Sequence, residues 1–163
     1  MIFVVDVEGF FVKNHFIVKE FAYIRTEDSK IERYLFKAPF SFNHLSFKEK
    51  QTVSYCEKNL HQLRWSSGII KYQDRLSVIR NVFQPSDVIY VKGDQKVRFI
   101  EELLPFTVKV INLETLNCPK VIDIKSTGKY TKCESLKHQF NIHCSLFKVQ
   151  RFASFLKSND IEN

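Results

Sequence analysis

The sequence has little glycine, proline or cysteine: four of each in 163 residues. The low glycine and proline content excludes collagen-like, linker-like and low-complexity chains. No run of about 18 apolar residues is present that would span a bilayer, so we expect no membrane partner and an intracellular protein, cytoplasmic or nuclear. In such a compartment the four cysteines are expected to be thiols or metal ligands rather than disulfides.

Apolar and basic residues are abundant. The hydrophobic fraction is 44%, and 16 residues are phenylalanine, so the chain has ample material for a core. The length predicts a single domain over residues 1–158, followed by a frayed C-terminal tail at 159–163. The formal net charge is +7. A basic balance favours an acidic partner, with nucleic acid before an anionic membrane surface.

The order of the predicted elements indicates the fold class. Hydrophobic alternation and β-branched runs predict strands at residues 2–6, 16–25, 31–37, 87–92 and 107–112. Helical spacing predicts helices at residues 46–60, 72–83, 96–104 and 144–156. Ser46 and Glu49 have the spacing of a capping box at the first helix. Three strands followed by alternating helices and strands predict an α/β fold, an RNase H-like mixed sheet of about five strands with flanking helices, although other α/β folds share this order.

Asp6 and Glu8 lie at the end of the first predicted strand. Acids at positions i and i+2 of a strand point to the same face, where they can bind a divalent metal through oxygen. Two-metal phosphodiester hydrolysis needs about four such acids. Taken alone, the pair is more typical of a solvated strand end.

The Asp6-Val7-Glu8 element resembles the first motif of the DEDD-type 3′–5′ exonucleases. The resemblance implies a further acid where this chain has Lys96, and a histidine followed by an aspartate where it has His143 and Lys148. Two ammonium groups in place of two acids disfavour Mg²⁺, and they can instead neutralise Asp6 and Glu8 or hold a phosphate. The alternative is that both lysines are ordinary surface residues. The remnant site on this alignment consists of Asp6, Glu8, Lys96, His143 and Lys148.

Cys133, His138 and Cys144 lie within twelve residues of one another, before and at the start of the last predicted helix. Three such side chains can converge on one zinc ion when the chain turns back. A fourth ligand would come from Glu20, Cys118 or His143. Alternatively, the cysteines are small buried apolar residues.

A second resemblance covers residues 2–157 at low identity. Its segments are Phe16 to Ile24, Tyr34 to Pro39, Ile89 to Lys96, and the series Cys133, His138, Cys144. Together they look like the Maelstrom domain, an exonuclease-derived RNase H-like domain of the germline small-RNA pathway. That resemblance implies a structural zinc site formed by Glu20, Cys133, His138 and Cys144. The chain departs from the family in its ligand spacing and in keeping Asp6 and Glu8, so we expect a divergent member.

The C-terminal third is rich in basic residues, which would attract a phosphate backbone near an old nuclease cleft. A solvated basic face is the alternative. Tyr130, Phe140 and Trp65 are candidates for stacking on single-stranded bases, although aromatic side chains lie more often in a core. The candidate phosphate-binding residues are Lys120, Lys125, Lys129, Lys132, Lys137 and Arg151.

Three functions follow from these observations. The first is a catalytically degenerate nuclease-fold module that binds RNA or single-stranded nucleic acid and contains structural zinc. The second is a protein-interaction adaptor on the same scaffold. The third is an active 3′–5′ exonuclease or ribonuclease that uses Mg²⁺ or Mn²⁺, with Asp6, Glu8 and His143 supplemented by Asp94 or Asp123. We rank them in that order, which favours a protein without enzymatic activity and leaves the nuclease as the alternative.

Overall fold

The computed structural model describes residues 1–127, 130–132 and 142–161. Its strands are β1 (Ile2–Val12), β2 (His15–Arg25), β3 (Ile31–Leu35), β4 (Val88–Val91) and β5 (Lys109–Asn112). Its α-helices are α1 (Phe47–Asn59), α2 (Arg75–Arg80), α3 (Asp94–Leu103) and α4 (Ser145–Ser158). No helix in these ranges is both long enough and apolar enough to cross a membrane.

The five strands form one mixed sheet in the order β3-β2-β1-β4-β5. β1, β2 and β3 are antiparallel neighbours, joined by short turns, whereas β4 and β5 run parallel to β1. The predicted fold class is therefore confirmed: an α/β fold with a five-stranded mixed sheet and flanking helices. β4 ends at Val91, which pairs with Val5 in the middle of β1, so the residues that follow β4 lie beside Asp6 and Glu8.

The sheet is covered on both faces. Phe3, Val5 and Val7 of β1 pack in a core cluster with Ile79 of α2 and Ile100 of α3. The alternate residues face the other way, where Val4 and Ala22 pack with Val149 and Phe152 of α4. The period of two along β1 thus places Asp6 and Glu8 on the same face as α4.

Helix α1 begins as predicted. The Ser46 side chain accepts the Glu49 backbone N–H, and the Glu49 carboxylate accepts the Ser46 backbone N–H, which completes a capping box. Below this helix, Phe10 and Trp65 form a third core cluster with Leu45 and Val53.

β1 is longer than predicted, because the predicted strand at residues 2–6 continues through Gly9 to Val12. Pairing with β2 shifts register between Glu8 and Gly9, which is a β-bulge. A Cβ atom on Gly9 would lie 2.0 Å from the carbonyl oxygen of Ile17. Gly9 therefore permits a close approach of two backbones rather than ending the strand.

Two other elements are shorter than predicted. The expected strand at residues 31–37 ends at Leu35, and Phe36 instead makes an isolated parallel bridge to Ile70. The expected helix at residues 72–83 is helical only over Arg75–Arg80, because Tyr72–Asp74 forms a 3-10 turn.

At the C-terminus, Ile161 donates its backbone N–H to the Leu156 carbonyl and packs against the α4 core cluster.

Candidate functional site

Asp6 and Glu8 lie on the α4 side of β1, near the carboxyl edge of the sheet. Asp6 pairs across the sheet with Ala22, and Glu8 pairs with Glu20. Asp6 is 1% exposed and Glu20 is completely buried. Buried carboxylates need ionic or hydrogen-bond partners, since desolvation disfavours the charged form.

Lys96 reaches the two acids from the first turn of α3. Its Nζ lies 2.6 Å from Asp6 Oδ1 and 2.9 Å from Glu8 Oε1. The lysine side chain is 25% exposed, so one side of this bridge borders solvent. The turn from β4 into α3 places it there, because β4 and β1 are parallel neighbours.

Lys148 reaches the same acids from α4. Its Nζ forms an ion pair with Glu8 Oε1 and lies 3.6 Å from Asp6 Oδ2. One helical turn earlier, Ser145 Oγ donates a hydrogen bond of 2.7 Å to Asp6 Oδ2. Ser145 and Lys148 stand three residues apart and therefore share one face of the helix. We name Asp6, Glu8, Lys96 and Lys148 the ion-paired cleft.

The charges of the cleft determine its protonation. Burial alone would raise the pKa of Glu8, but the positive charges of Lys96 and Lys148 outweigh it and lower that pKa to about 2. Burial works to lower the pKa of Lys148, but the negative charges of Asp6 and Glu8 prevail and raise it above its usual value. Glu8 and Lys148 are therefore charged at neutral pH, as their ion pair requires.

The cleft does not suit Mg²⁺ or Mn²⁺. Both oxygens of Asp6 and one oxygen of Glu8 are occupied by lysine or serine donors. A divalent ion there would face two ammonium groups within its first coordination sphere. Asp94 and Asp123 are the further acids considered for an active nuclease. Asp94 Oδ1 accepts a hydrogen bond from Asn112, and Asp123 is exposed in a 3-10 turn. His143 is half-buried in the turn before α4.

Two of the four predicted zinc ligands are described, whereas Cys133 and His138 lie outside the described residues. Glu20 Oε1 accepts a hydrogen bond from Arg33, but Glu20 Oε2 is buried without a hydrogen-bond partner among the described residues. Cys144 is fully buried immediately before α4. An orphaned, buried carboxylate oxygen fits a metal ligand. Within the described ranges, no three His, Cys, Asp or Glu side chains form a metal-binding group.

Cys118, the other cysteine considered as a fourth ligand, is buried in the core cluster beneath α4. Its thiol has a raised pKa because it is buried. The backbone carbonyl of Cys118 accepts a hydrogen bond of 2.8 Å from Lys92. These contacts describe a core residue that anchors the loop after β5.

The predicted phosphate-binding residues differ in their surroundings. Lys120, Lys125 and Lys132 are exposed, whereas Lys129 and Lys137 lie outside the described residues. Arg151 is half-buried and already has internal partners. Its guanidinium donates a hydrogen bond to the Ile124 carbonyl and lies 4.9 Å from the Phe147 ring centroid. The structure thus leaves three described lysines of this set facing solvent.

The predicted stacking role of Trp65 is wrong. Trp65 is 2% exposed, and its indole N–H donates to the Phe40 carbonyl at 2.9 Å. The side chain of Lys19, itself 1% exposed, holds the same loop through the carbonyls of Trp65 and Ser67. Tyr130 is half-buried with its ring 5.5 Å from that of Phe147, and Phe140 lies outside the described residues.

A second basic and aromatic region was missed from the sequence. It is an open groove of about 880 Å³ between the β1–β2 hairpin and α3, and we name it the hairpin groove. Lys13 and Asn14 form the two-residue turn of the hairpin, and Arg98 contributes from α3. The sequence separates these residues by more than 80 positions, so no local pattern joins them. The residues that define the hairpin groove here are Phe11, Lys13, Phe16, Tyr72, Arg75, Arg98 and Phe99.

Comparison of the chain with protein-family models, with curated proteins and with solved structures found no match. What the protein does must therefore be inferred from the geometry of its own residues.

Proposed function

We propose that this protein is a catalytically degenerate nuclease-fold module that binds RNA or single-stranded nucleic acid. The observation that carries the proposal is the ion-paired cleft. There Lys96 and Lys148 form ion pairs with the acids that a two-metal nuclease would use to bind its metal ions. The basic excess of the chain supports an anionic ligand. The Maelstrom-like resemblance points to the same class of ligand.

Chemistry at the cleft argues for binding without hydrolysis. Two-metal hydrolysis needs ions that clamp the attacking and leaving oxygens. In this cleft the carboxylates are neutralised by fixed ammonium groups, so they have no net charge left to attract a divalent ion. Cations elsewhere on the surface remain available to phosphate, which lysine and arginine bind well.

Binding and hydrolysis can be tested with the same oligonucleotides. We expect labelled single-stranded RNA and DNA to raise the fluorescence anisotropy with an affinity that falls as salt rises. The same strands should remain intact during incubation with Mg²⁺ or Mn²⁺. Loss of binding in a well-folded sample would favour the adaptor function. Metal-dependent degradation that disappears in Asp6→Ala would establish the nuclease instead.

Rebuilding the acids gives a second test. The double variant Lys96→Asp with Lys148→Asp brings four carboxylates together, whose mutual repulsion should lower the melting temperature in the absence of metal. Mg²⁺ or Mn²⁺ should raise that melting temperature, since a bound ligand stabilises the folded state. The wild-type protein should show no such rise. An equal rise in the wild-type protein would show that the lysines do not exclude the metal.

Structural zinc is the second part of the proposal, with Glu20, Cys133, His138 and Cys144 as ligands. The orphaned Glu20 Oε2 supports it. Zinc bound there would tie the start of α4 to β2 and so stabilise the fold. Mass spectrometry of the native protein should find about one zinc ion per chain. Cys133→Ser should lose the zinc and melt at lower temperature, and a zinc-free, well-folded wild-type sample would refute the set.

A further inference from the structure

The hairpin groove offers solvent-facing cations with few internal partners. Lys13 and Arg98 are exposed, and Arg98 makes no hydrogen bond or ion pair with any described residue. Arg75 lies 3.9 Å from the ring centroid of Tyr72 and donates to the Tyr72 carbonyl at 3.0 Å. Glu102 is the one acid among the residues that line the groove, against these three permanent cations. The lining is therefore complementary in charge to a polyanion.

Aromatic rings lie between the cations. Phe11 is 52% exposed, and its ring centroid lies 5.3 Å from that of Phe16. Phe16 in turn contacts Phe99 of α3 edge-on, at 5.1 Å. Phe11 is thus an exposed ring with firm support beneath it. Such a platform can stack a base of any sequence, because every base has a π-face.

Lys13 stands in a backbone conformation that lysine disfavours. In the two-residue turn, Lys13 and Asn14 have φ of 52° and 63°. Both values are in the left-handed region that a type I′ turn requires, where asparagine, aspartate and glycine are preferred. Strained positions of this kind cluster at functional sites. A lysine in this turn makes the hairpin less stable than asparagine or glycine would, but it places an ammonium group at the rim of the groove.

We propose that the hairpin groove is the track that binds single-stranded nucleic acid, with phosphates on Lys13, Arg75 and Arg98 and a base stacked on Phe11. This inference rests on the proposed function and names the surface that performs it. Alternating cations and supported aromatic rings are the means by which proteins bind single strands without reading their sequence. Of the aromatic residues predicted to stack beside the C-terminal lysines, Tyr130 is half-buried against Phe147, and Trp65 is buried in another cluster.

The test measures affinity by fluorescence anisotropy at several salt concentrations, with oligo(U) RNA and oligo(dT) DNA of about 12 nucleotides. Lys13→Asn and Arg98→Gln should each weaken binding several-fold. Each should also reduce the steepness of the salt dependence by about 0.7, the value expected for one lost phosphate contact with a single strand. Phe11→Ala should weaken binding roughly 5- to 100-fold with little change in that steepness.

Lys120→Gln and Lys125→Gln test the C-terminal basic stretch as the competing surface. The matched controls are Lys58→Gln and Lys109→Gln, because each removes an exposed cation outside both the hairpin groove and that stretch. They should leave affinity unchanged, and melting curves should show that every variant is folded. Lys13→Asn suits the turn, so any loss of affinity in that variant cannot come from unfolding.

The outcomes separate the inference from the proposed function. If the wild-type protein binds the oligonucleotides and only the Lys120 and Lys125 variants have lower affinity, the hairpin groove is not the binding surface. The proposed function then still stands. If the wild-type protein binds no single strand, both fail. Poly-glutamate should compete poorly, because it has no bases to stack. Competition equal to that of the oligonucleotides, with Phe11→Ala unchanged, would identify a general anion groove and refute the track.

Discussion

The ion-paired cleft uses Asp6 and Glu8 of β1, and the hairpin groove uses the end of the same strand from Phe11 onwards, yet the two regions use charge in opposite ways. In the cleft, two lysines and two acids hold one another, and the acids are largely buried. In the groove, Lys13 and Arg98 face solvent. The β-bulge between Glu8 and Gly9 separates the two regions along the strand. Charges that neutralise one another stabilise the fold, whereas solvent-facing charges remain available to a ligand.

Removing a cleft lysine should have the largest effect on stability. Lys148→Ala leaves Asp6 and Glu8 with one ammonium group in a buried setting, and we expect a loss of about 3–5 kcal/mol in the free energy of unfolding. Lys157→Ala, an exposed lysine later in the same helix, should change it by less than about 0.5 kcal/mol. Urea denaturation of both variants checks this. Equal, small effects would show that Lys148 contributes as a surface residue does.

The bulge that separates the two regions should be the next most sensitive feature. Gly9→Ala places a Cβ atom against the Ile17 carbonyl, so the strands must separate. We expect a loss of about 1–3 kcal/mol, typical of overpacking. Gly93→Ala isolates the other possible cause, backbone strain, because a Cβ atom on Gly93 meets nothing within 4 Å but its φ of 103° disfavours alanine. A Gly9→Ala protein as stable as the wild type would mean that the bulge rearranges freely.

Low pH should protonate Glu8 and so weaken the ion pairs of the cleft. The pKa of Glu8 is about 2 in the folded protein, below its usual value of 4.5. A lowered folded-state pKa contributes stability that is complete above the unfolded pKa and is lost as the pH falls from about 4.5 to 2. Glu8→Gln should therefore be less stable than the wild type at pH 7, and the difference should narrow towards pH 2. Glu101→Gln, an exposed control on α3, should differ little from wild type throughout.

The smallest effect should come from the groove, and it should have the opposite sign. Lys13→Asn replaces a lysine in the left-handed backbone region with a residue that tolerates it. We therefore expect the free energy of unfolding to rise by up to about 1 kcal/mol. Thermal unfolding measures this directly. A clear loss of stability would show that the Lys13 side chain supports the hairpin, for instance through Phe40, whose ring centroid lies 5.8 Å from its ammonium group.

The sequence alone determined the type and order of the main elements, the fold class and the residue types of the cleft, whereas several element bounds differ in the structure. Period-two alternation and the Ser46–Glu49 capping box are local signals, so the strands and α1 could be predicted from neighbouring residues. Asp6 and Glu8 share a face for the same local reason. Alignment to a nuclease motif indicated Lys96 and Lys148, although only the fold brings them within bonding distance.

Only the tertiary structure decided which basic and aromatic residues face solvent. Trp65, a candidate for base stacking, is buried, whereas Phe11 lies in the apolar strand β1 and is 52% exposed. The bulge inserts Lys19 into β2, so Val18 packs in the same core cluster as Phe21 although the two are three residues apart, and such a one-residue shift cannot be read from a hydrophobic pattern. The hairpin groove joins β1, β2 and α3, and contacts between such distant segments exist only once the sheet has formed.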